Sequence, residues 1–584
     1  MKIIINEKMW VAFGFLSIVF HIFLIFSGLI PNLISRPLHM AIIIPWVFLY
    51  NRDIKVLSIE LIFTVLGFLS CLWIAFNSDV LMDQYGFLEN DFQLFISFIL
   101  LVLVLEMARR SVGWPLPLVT FVSLLYGLFG NFIPGEFGYA GTPINSFLGT
   151  LTIAEGGIWG SLTGVSVSIV SIFVILGAFL NSGEAGLGFM NIATAVAGRL
   201  KGGAAKVSVL SSALFGSISG SASANVASTG MVTLPAMIKL GYPKRLAASV
   251  EAVASSGGQI MPPLMGAGAF VMVELTGIPY NQIILAALLP AILYFFTVWV
   301  GINFYSKNYN LKPIEKSKLP SLKTVLITSV FFLIPFSILL IFMFIGFTPQ
   351  YSAAISILCA ALLLFFNIKN KFSIHIGFNR LFAAFVLSGK QISLIGSIIL
   401  CASIIIGVLS ITGLGIKLTS LIISFSNNNI WLALILTGIA CLILGMEVPT
   451  TAAYVICVSV AGPALVDMGL DLLQVHLFVF WFALLSTITP PVCGAVFIAS
   501  GMVSENWLKV SLTSMSLGIG LYFIPLAMIA NKTILQLSSD PFLAIIAFIK
   551  IAISLVFLSF SIISKSNLVL KLSCFVLSIF IMFY

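Results

Sequence analysis

The stretch from Leu214 to Phe270 decides how this chain folds. It contains LFGSISGSASANVASTGMVTLPAM at 214–237 and, after a short basic patch, EAVASSGGQIMPPLMGAGAF at 251–270. Small hydroxyl side chains crowd between glycines in the first segment, and Gly-Gly-Gln followed by Pro-Pro interrupts the second. In an apolar context, backbone that leaves the helix is tolerated only where protein encloses it or where it lines a polar cavity. The stretch therefore predicts broken helices that line such a cavity.

The composition indicates a polytopic helical membrane protein. Of its 584 residues, 60% are hydrophobic and 8% are charged, and the mean hydropathy is +1.17. This leaves too little polar surface to cover a soluble globule of that size. The net charge of +9 lies in short loops between apolar runs, so it indicates membrane topology rather than nucleic-acid binding. The seven cysteines lie mostly within apolar runs, and we interpret them as small membrane-compatible residues.

The distribution of basic residues predicts the direction of the spans. With about 15 apolar spans and a cytoplasmic N-terminus, nearly all of the 28 basic residues fall on the cytoplasmic side. This holds only if residues 205–238 enter and leave the membrane on the same side, because a single span there would place Lys206 and Lys239 on opposite faces. We therefore predict a re-entrant hairpin that folds back within 216–225.

An internal repeat is the most specific signal in the sequence. PPLMGA at 262–267 is echoed by PPVCGA at 490–495, and upstream of these motifs lie the helix-breaking clusters GSASAN at 220–225 and GMEVPTT at 445–451. The second cluster is flanked by asparagines and aspartates without a basic residue, which predicts a second re-entrant hairpin that opens to the outside. Two similar units that enter from opposite faces form inverted-topology repeats, here at 143–275 and 376–502.

Transport chemistry accounts for these residue types. A solute or cation that crosses lipid sheds water at the midplane, where broken helices supply carbonyl groups for a cation and N–H groups for an anion. Ser, Thr and Asn add neutral oxygens that suit Na⁺, glycine lets backbone approach a ligand, and proline helps to hold the break open. The alternative is that small residues merely permit close helix packing. Two matched clusters favour transport.

The motifs resemble a known family. GSISGSASANVASTG, ASSGGQIMPPLMGAGAF, GMEVPTTAAY and STITPPVCGAVF are similar to the large membrane subunit of tripartite ATP-independent periplasmic (TRAP) transporters, in particular to the TAXI-associated branch with fused small and large subunits. The resemblance covers about 113–535. Residues 1–112, with about four helices, stand in the position of the small subunit, and 536–584 add C-terminal spans. The resemblance implies an all-α fold of the elevator-type ion transporter superfamily.

The resemblance also implies a function and partners. Such a permease is not an enzyme and carries no organic cofactor. It imports a small organic anion of the carboxylate type by Na⁺-coupled symport, and a separate periplasmic TAXI-type binding protein delivers the anion. The chain is then expected in the bacterial inner membrane, acting as a monomer of the fused chain.

Two alternatives remain beside this interpretation. One is a carrier or antiporter of the same fold that is coupled to ions but needs no binding protein. The other is an intramembrane hydrolase that uses one of the serine clusters. A hydrolase needs a base near the serine, and the nearest titratable groups in sequence, Lys206 and Lys239, are predicted at the cytoplasmic rim. The sequence therefore argues against the hydrolase.

By position in the motifs, the resemblance assigns two half-sites for substrate and ion. The first half-site consists of Ser219, Gly220, Ser221, Asn225, Gly258, Gln259, Pro262 and Gly266. The second consists of Met446, Glu447, Pro449, Thr450, Thr451, Thr487, Thr489, Pro490 and Gly494. Na⁺ is expected near Ser221, Gly258, Thr450 and Thr489.

Intramembrane carboxylates and lysines are costly and need separate interpretation. Glu447 stands where many relatives carry a small neutral residue, which leaves a proton- or cation-linked role open. Glu251 and Glu274 bracket the first broken helix, and we interpret them as structural residues near its interfaces. Lys550 falls within a predicted span, and the sequence offers no reason for it.

Overall fold

A computed structural model describes residues 2–3, 6–52, 54–55, 58–263, 265–368, 371–445, 450–491 and 493–584. Within these ranges, the side chains of residues 2–3, 54–55 and 219 lie outside the description. Helices make up nearly all of the regular structure. A short antiparallel ladder pairs β1 (Lys2–Ile3) with β2 (Ile54–Lys55).

The helices follow one another in four groups along the chain. The first group is α1 (Glu7–Phe26), α2 (Asn32–Phe48), α3 (Ile59–Phe76), α4 (Ser78–Asp83), α5 (Asp91–Val112) and α6 (Pro115–Phe129). The second is α7 (Ile144–Thr152), α8 (Ser161–Val165), α9 (Ser171–Ser182), α10 (Ala185–Ala197), α11 (Gly203–Ser219), α12 (Ala222–Lys239), α13 (Lys244–Gly257) and α14 (Gly268–Thr276). The third is α15 (Tyr280–Tyr309), α16 (Leu322–Ile345), α17 (Pro349–Leu363), α18 (Ile374–Thr412), α19 (Leu414–Phe425), α20 (Ile430–Leu444), α21 (Thr450–Asp467), α22 (Leu472–Leu485) and α23 (Gly494–Val503). The last is α24 (Trp507–Leu517), α25 (Gly520–Ala530), α26 (Pro541–Ile563) and α27 (Leu568–Phe583).

The helix lengths confirm a polytopic membrane protein. Among the described residues, 11 helical stretches are long and apolar enough to cross a membrane. Shorter apolar helices of 10–17 residues accompany them, among them α20, α22 and α23. Helices α20, α22 and α23 lie in the second region where the sequence predicts broken helices.

The two halves contain the same order of elements. In the first half, α11 and α12 pack against each other as a hairpin, and α13, a break with Pro-Pro and the short α14 follow. In the second half, α20 packs against α21, and α22, a break with Pro-Pro and the short α23 follow. Both Pro-Pro peptide bonds, 262–263 and 490–491, are cis. Each half thus presents one helix pair and one broken helix.

The 39-residue helix α18 connects the N-terminal helices to the second half. It packs against α1, α2, α5, α6 and α9. Thr120 Oγ1 of α6 lies 3.0 Å from Cys401 Sγ. Helix α8 also packs on α18, and its Thr163 Oγ1 lies 3.2 Å from Ser403 Oγ. Gly389 lets the Trp46 ring lie directly on the helix backbone, where a Cβ atom would clash. The first 112 residues are therefore packed directly on the large region.

A buried chain of polar groups makes a second connection of this kind. His21 Nδ1 lies 2.6 Å from Ser17 O, and His21 Nε2 lies 2.8 Å from His39 Nδ1. His39 Nε2 in turn lies 3.0 Å from Ser166 Oγ, in the π-helical turn Ser166–Val170 between α8 and α9. Both histidines are fully buried. Each imidazole therefore has one ring nitrogen paired with the other histidine and the second paired with a serine oxygen, at Ser17 or Ser166. The pair links α1 and α2 to the first repeat unit.

Lys550, unexplained by the sequence, has a specific partner. Its Nζ donates to Asn531 Oδ1 at 2.8 Å, and Asn531 Nδ2 donates to Met582 O at 2.8 Å. The C-terminal pair α26 and α27 is thereby tied to the end of α25, and α26 also packs along α15. Lys550 therefore pairs with a partly buried acceptor within the protein.

Candidate functional site

A cavity of about 810 Å³ lies where the two halves meet. The lining contains predicted residues from the first half-site, Gly220, Ser221, Gln259 and Gly266. It also contains predicted residues from the second, Thr450, Thr451, Thr487 and Gly494. Further lining comes from the N-terminal side and from α18, including Ser111, Trp114, Gln391 and Ile395. Residues far apart in the sequence thus enclose one space.

Helix beginnings are concentrated around this cavity. The first residues of α12, α21 and α23, which are Ala222, Thr450 and Gly494, all line it. Ala267, directly before the first residue of α14, lines it as well. The first turn of a helix has backbone N–H groups without intrahelical acceptors, and it carries the positive end of the helix dipole. The cavity therefore presents several electropositive backbone ends.

The described side chains that line the cavity are all uncharged. Hydroxyl and amide groups supply its side-chain polarity, at Ser111, Ser221, Ser223, Thr450, Thr451, Ser486, Thr487, Gln259 and Gln391. The rest of the described lining is apolar or glycine, with Phe173, Phe270 and Phe497 among the large residues. An anion in this cavity would be held by backbone dipoles and neutral donors, and a cation by neutral oxygens.

The tip of the first hairpin is shaped by a glycine and a capping serine. Gly220 ends α11 with φ of +62°, and the Ser221 side chain accepts a hydrogen bond from Ala224 N at 3.3 Å. Gly266, with φ of +60°, lies against this tip. A Cβ on Gly220 would come within 2.9 Å of Gly266 Cα, and a Cβ on Gly266 within 2.8 Å of Gly220 Cα. Only glycine at both positions allows this approach with this backbone.

Asn225 and Gly258 lie behind the cavity rather than in its lining. Asn225 Nδ2 donates to Ser212 O at 2.9 Å, so the amide bridges α12 to α11. A Cβ on Gly258 would come within 2.5 Å of Gly216 Cα, which shows how closely the end of α13 approaches α11. These two predicted residues hold the first hairpin together in this structure. Pro262 is likewise absent from the described lining.

Thr489 and Pro490 also lie outside the described lining of the cavity. Thr489 Oγ1 lies 2.6 Å from Leu485 O and 2.6 Å from the Tyr522 hydroxyl of α25. Of the residues expected near Na⁺, Ser221 and Thr450 therefore border the cavity, whereas Gly258 and Thr489 lie in separate contacts behind it. Met446, Glu447 and Pro449 lie outside the described residues, as does the side chain of Ser219.

Direct contacts join the two half-sites. Thr487 Oγ1 lies 2.8 Å from Ser256 Oγ, which connects the second break to the end of α13. The tip of the first hairpin reaches the second motif, because a Cβ on Gly494 would come within 3.5 Å of Ser223 Oγ. Helix α23 also packs against α12 and α13. The two broken helices are therefore in direct contact with each other.

Sequence reasoning missed two groups of residues in this region. Gln391 and Ser111 line the cavity from outside the repeat motifs, and the signal for Gln391 is a lone amide in an apolar helix. Glu251 is fully buried, and five hydroxyl groups surround its carboxylate. The signal for this cluster is a set of polar pairs at i, i+4 spacing, Ser208 with Ser212, Thr229 with Thr233, and Glu251 with Ser255.

The comparison with known proteins agrees with this architecture. Residues 99–543 match the family model described as "Tripartite ATP-independent periplasmic transporter, DctM component". The chain is 26% identical over 378 residues to the uncharacterized protein YgiK of Salmonella typhimurium (strain LT2), covering 63% of this chain and 83% of that protein. It is 23% identical over 334 residues to the C4-dicarboxylate TRAP transporter large permease protein DctM of Pseudomonas aeruginosa, covering 57% of this chain and 76% of that protein.

A third relative is named DctMQ. The chain is 24% identical over 410 residues to the isethionate TRAP transporter permease protein DctMQ of Oleidesulfovibrio alaskensis, covering 67% of this chain and 62% of that protein. The family match spans most of the chain and includes both broken helices and the cavity between them. The chain therefore belongs to the DctM component family of tripartite ATP-independent periplasmic transporters, and it is a membrane permease for solute uptake rather than an enzyme.

Proposed function

We propose that this permease imports a small organic anion, delivered by a periplasmic binding protein and driven by a Na⁺ gradient. The observation that carries the proposal is the cavity at which four helix beginnings and neutral hydroxyl groups from both halves converge. It offers N–H groups to an anion and oxygens to a cation within one space. This is the pairing that anion–cation symport requires.

Helix dipoles support an anionic substrate. Each helix N-terminus contributes roughly 0.3–1 kcal/mol to an anion at an exposed site, and up to about 2 kcal/mol where the geometry is partly buried. The beginnings of α12, α14, α21 and α23 act together at one cavity. The names of two relatives fit this chemistry, since C4-dicarboxylate and isethionate are both small organic anions. A carboxylate-type solute is the substrate class that we propose.

The hydroxyl groups support Na⁺ as the coupling ion. Ser221 and Thr450 border the cavity from opposite halves, next to the backbone breaks at Gly220 and Gly445. Neutral oxygens coordinate Na⁺ without holding it irreversibly, and free carbonyl groups at the breaks supply further ligands. We assign Na⁺ near these residues and near Gly258 and Thr489, the corresponding positions behind the cavity.

An elevator movement fits the distribution of the lining. One side of the cavity is formed by the tip of the first hairpin, by Thr450 and Thr451 of α21 and by the broken helices. The other side is formed by Ser111, Trp114 and the α18 residues Gln391 and Ile395. We assign the hairpins and broken helices to a moving unit and the N-terminal helices with α18 to a fixed one. Sliding of the first against the second would carry a bound solute across the membrane.

The remaining assignments concern the partner and the location. The family match begins at residue 99, so α1 to α4 precede it and stand in the position of a fused small subunit. We assign the chain to the bacterial inner membrane with a cytoplasmic N-terminus, to action as a monomer, and to a TAXI-type binding protein as its partner. The basic loops support the cytoplasmic N-terminus, and the four sequence motifs support the TAXI-type partner.

Reconstitution tests the proposed function. The purified permease in liposomes is supplied with its binding protein and radiolabelled succinate or isethionate, with and without an inward Na⁺ gradient. The proposal expects uptake only when the Na⁺ gradient and the binding protein are both present. Uptake without the binding protein would instead support an ion-coupled carrier or antiporter of the same fold, and Na⁺-independent uptake would refute the coupling.

A further inference from the structure

The most unusual buried group outside the cavity is the Glu251 carboxylate. Glu251 lies on α13 and is 0% exposed. Ser208 Oγ lies 2.7 Å from its Oε2, and Thr233 Oγ1 contacts the same oxygen. Thr229 Oγ1 contacts Oε1. Two longer contacts to Oε1 come from Ser255 at 3.3 Å and Ser212 at 3.4 Å.

No cation balances this carboxylate in the described part of the chain. The ion pairs among those residues involve Glu60, Glu106, Glu155, Glu184 and Glu315, but not Glu251. Helices α11, α12, α15, α23 and α24 pack against α13. The other titratable groups on α13 and on these five helices are Lys206, Lys239, Lys244, Arg245, Tyr280, Tyr294, Tyr305, Lys307, Tyr309 and Lys509. Lys206 Nζ, on α11, lies over the Trp299 ring at 4.9 Å instead. An ionised carboxylate at this depth is costly unless donors or a bound cation stabilise it.

The hydroxyl protons of Thr229 and Thr233 each have an alternative acceptor besides Glu251. Thr229 Oγ1 contacts the Glu251 carboxylate and also lies 2.8 Å from Asn225 O. Thr233 Oγ1 contacts the carboxylate and also lies 3.0 Å from Thr229 O. A hydroxyl group has a single proton and can donate it to only one acceptor at a time. Each threonine therefore donates either to the carboxylate or to its own helix.

These alternatives correspond to the two protonation states of Glu251. When the carboxylate is ionised, the threonine and serine hydroxyls donate to its oxygens. When it is protonated, its own O–H donates to a threonine oxygen, and that threonine donates to the backbone carbonyl. The contacts supply donors to the ionised form and acceptors to the protonated form, so gain or loss of the proton requires only that hydroxyl groups rotate. This is the arrangement required of a buried acid that gains and loses a proton without unfolding its surroundings.

We propose that Glu251 and its five hydroxyl groups form a proton-binding site in the permease. The site belongs to the first hairpin unit, because its ligating groups come from α11, α12 and α13. It connects to the cavity wall through Asn225, whose Oδ1 lies 3.4 Å from Thr229 Oγ1. The proton is a second cation beside Na⁺, and the site stands whether or not Na⁺ drives uptake.

Infrared spectroscopy tests the site without any substrate or binding protein. The full-length permease in nanodiscs is titrated between pH 4 and pH 10, and the C=O stretch of protonated carboxyl groups is followed. The wild type should show a carboxyl band that grows as the pH falls. Glu251→Gln should lack this band, and the exposed Glu274→Gln should retain it. Identical pH-dependent bands in the wild type and in Glu251→Gln would overturn the proposal.

A second variant keeps the test decisive if Glu251→Gln does not fold. Ser208 Oγ donates to the carboxylate at 2.7 Å, so Ser208→Ala removes a donor that stabilises the ionised form. Its titration midpoint should rise by about one pH unit. Ser211→Ala is the matched control, because Ser211 Oγ donates to Ser208 O rather than to Glu251. An unchanged midpoint in Ser208→Ala would overturn the proposal.

Discussion

Thr487 Oγ1 lies 2.8 Å from Ser256 Oγ, and this contact joins the broken helix of the second half to that of the first. Thr487 also lines the cavity, whereas Ser256 is fully buried behind it. The wall of the cavity is therefore a surface shared by two similar units, and its shape depends on how they are held together.

Thr487→Val should reduce uptake by about fivefold. The substitution keeps the side-chain shape but removes a hydroxyl hydrogen bond worth about 1 kcal/mol. Loss of that contact allows the two breaks to separate and the cavity to lose its geometry. Uptake in proteoliposomes and the melting temperature should be measured together. The control is Thr513→Val on α24, whose hydroxyl donates to Lys509 O away from the cavity; an equal loss in both variants would contradict the prediction.

Ser221→Ala and Thr450→Ala should each weaken the activation of uptake by Na⁺. Both residues border the cavity and supply a neutral oxygen. Ser221 also caps α12, so its replacement removes a helix cap worth about 1 kcal/mol. Ser321→Ala separates the two effects, because Ser321 caps α16 in the same way at 3.2 Å from Thr324 N. The Na⁺ concentration for half-maximal uptake should rise in the first two variants and stay at the wild-type value in the third.

Gly220→Ala should abolish uptake, whereas Gly277→Ala should not. Both glycines have positive φ, +62° and +67°, so alanine introduces a similar backbone strain of about 1 kcal/mol at either position. The Cβ at Gly220 would also meet Gly266 Cα at 2.9 Å, while nothing lies within 4 Å of a Cβ at Gly277. The difference in uptake and in melting temperature between the two variants therefore measures the effect of the close approach between Gly220 and Gly266. Equal behaviour would show that the contact at the hairpin tip is not required.

The sequence predicted the fold class and the broken helices because both depend on local chemistry. Gly220 and the Pro-Pro motifs interrupt helices wherever they occur in an apolar run, and the hydropathy of the runs predicts a membrane protein. The convergence of Ser221 and Thr450 on one cavity follows the internal repeat, which is also readable from the sequence.

Other features depend on tertiary packing that no single motif encodes. Gln391 lines the cavity from α18, which packs against α21, and Glu251 is enclosed by hydroxyl groups from three helices. The placement of Asn225 behind the cavity has the same origin, since its amide is used to hold α11. The i, i+4 spacing of the serines and threonines indicated polar helix faces, but not which acid they surround.

Lys550→Met should lower the stability of the permease without changing uptake per folded molecule. The Lys550 ammonium donates to Asn531 Oδ1 at 2.8 Å, and its removal leaves that partly buried acceptor unpaired at a cost of about 1–3 kcal/mol. The contact ties α26 to α25 and lies outside the cavity lining, so the transport reaction should be unaffected. Thermal unfolding in detergent and uptake in liposomes measure the two quantities. Lys571→Met on α27 is the matched control, since it removes the same charge from the same helix pair. If Lys550→Met were as stable as this control, the hydrogen bond to Asn531 would not be what retains a lysine within the span.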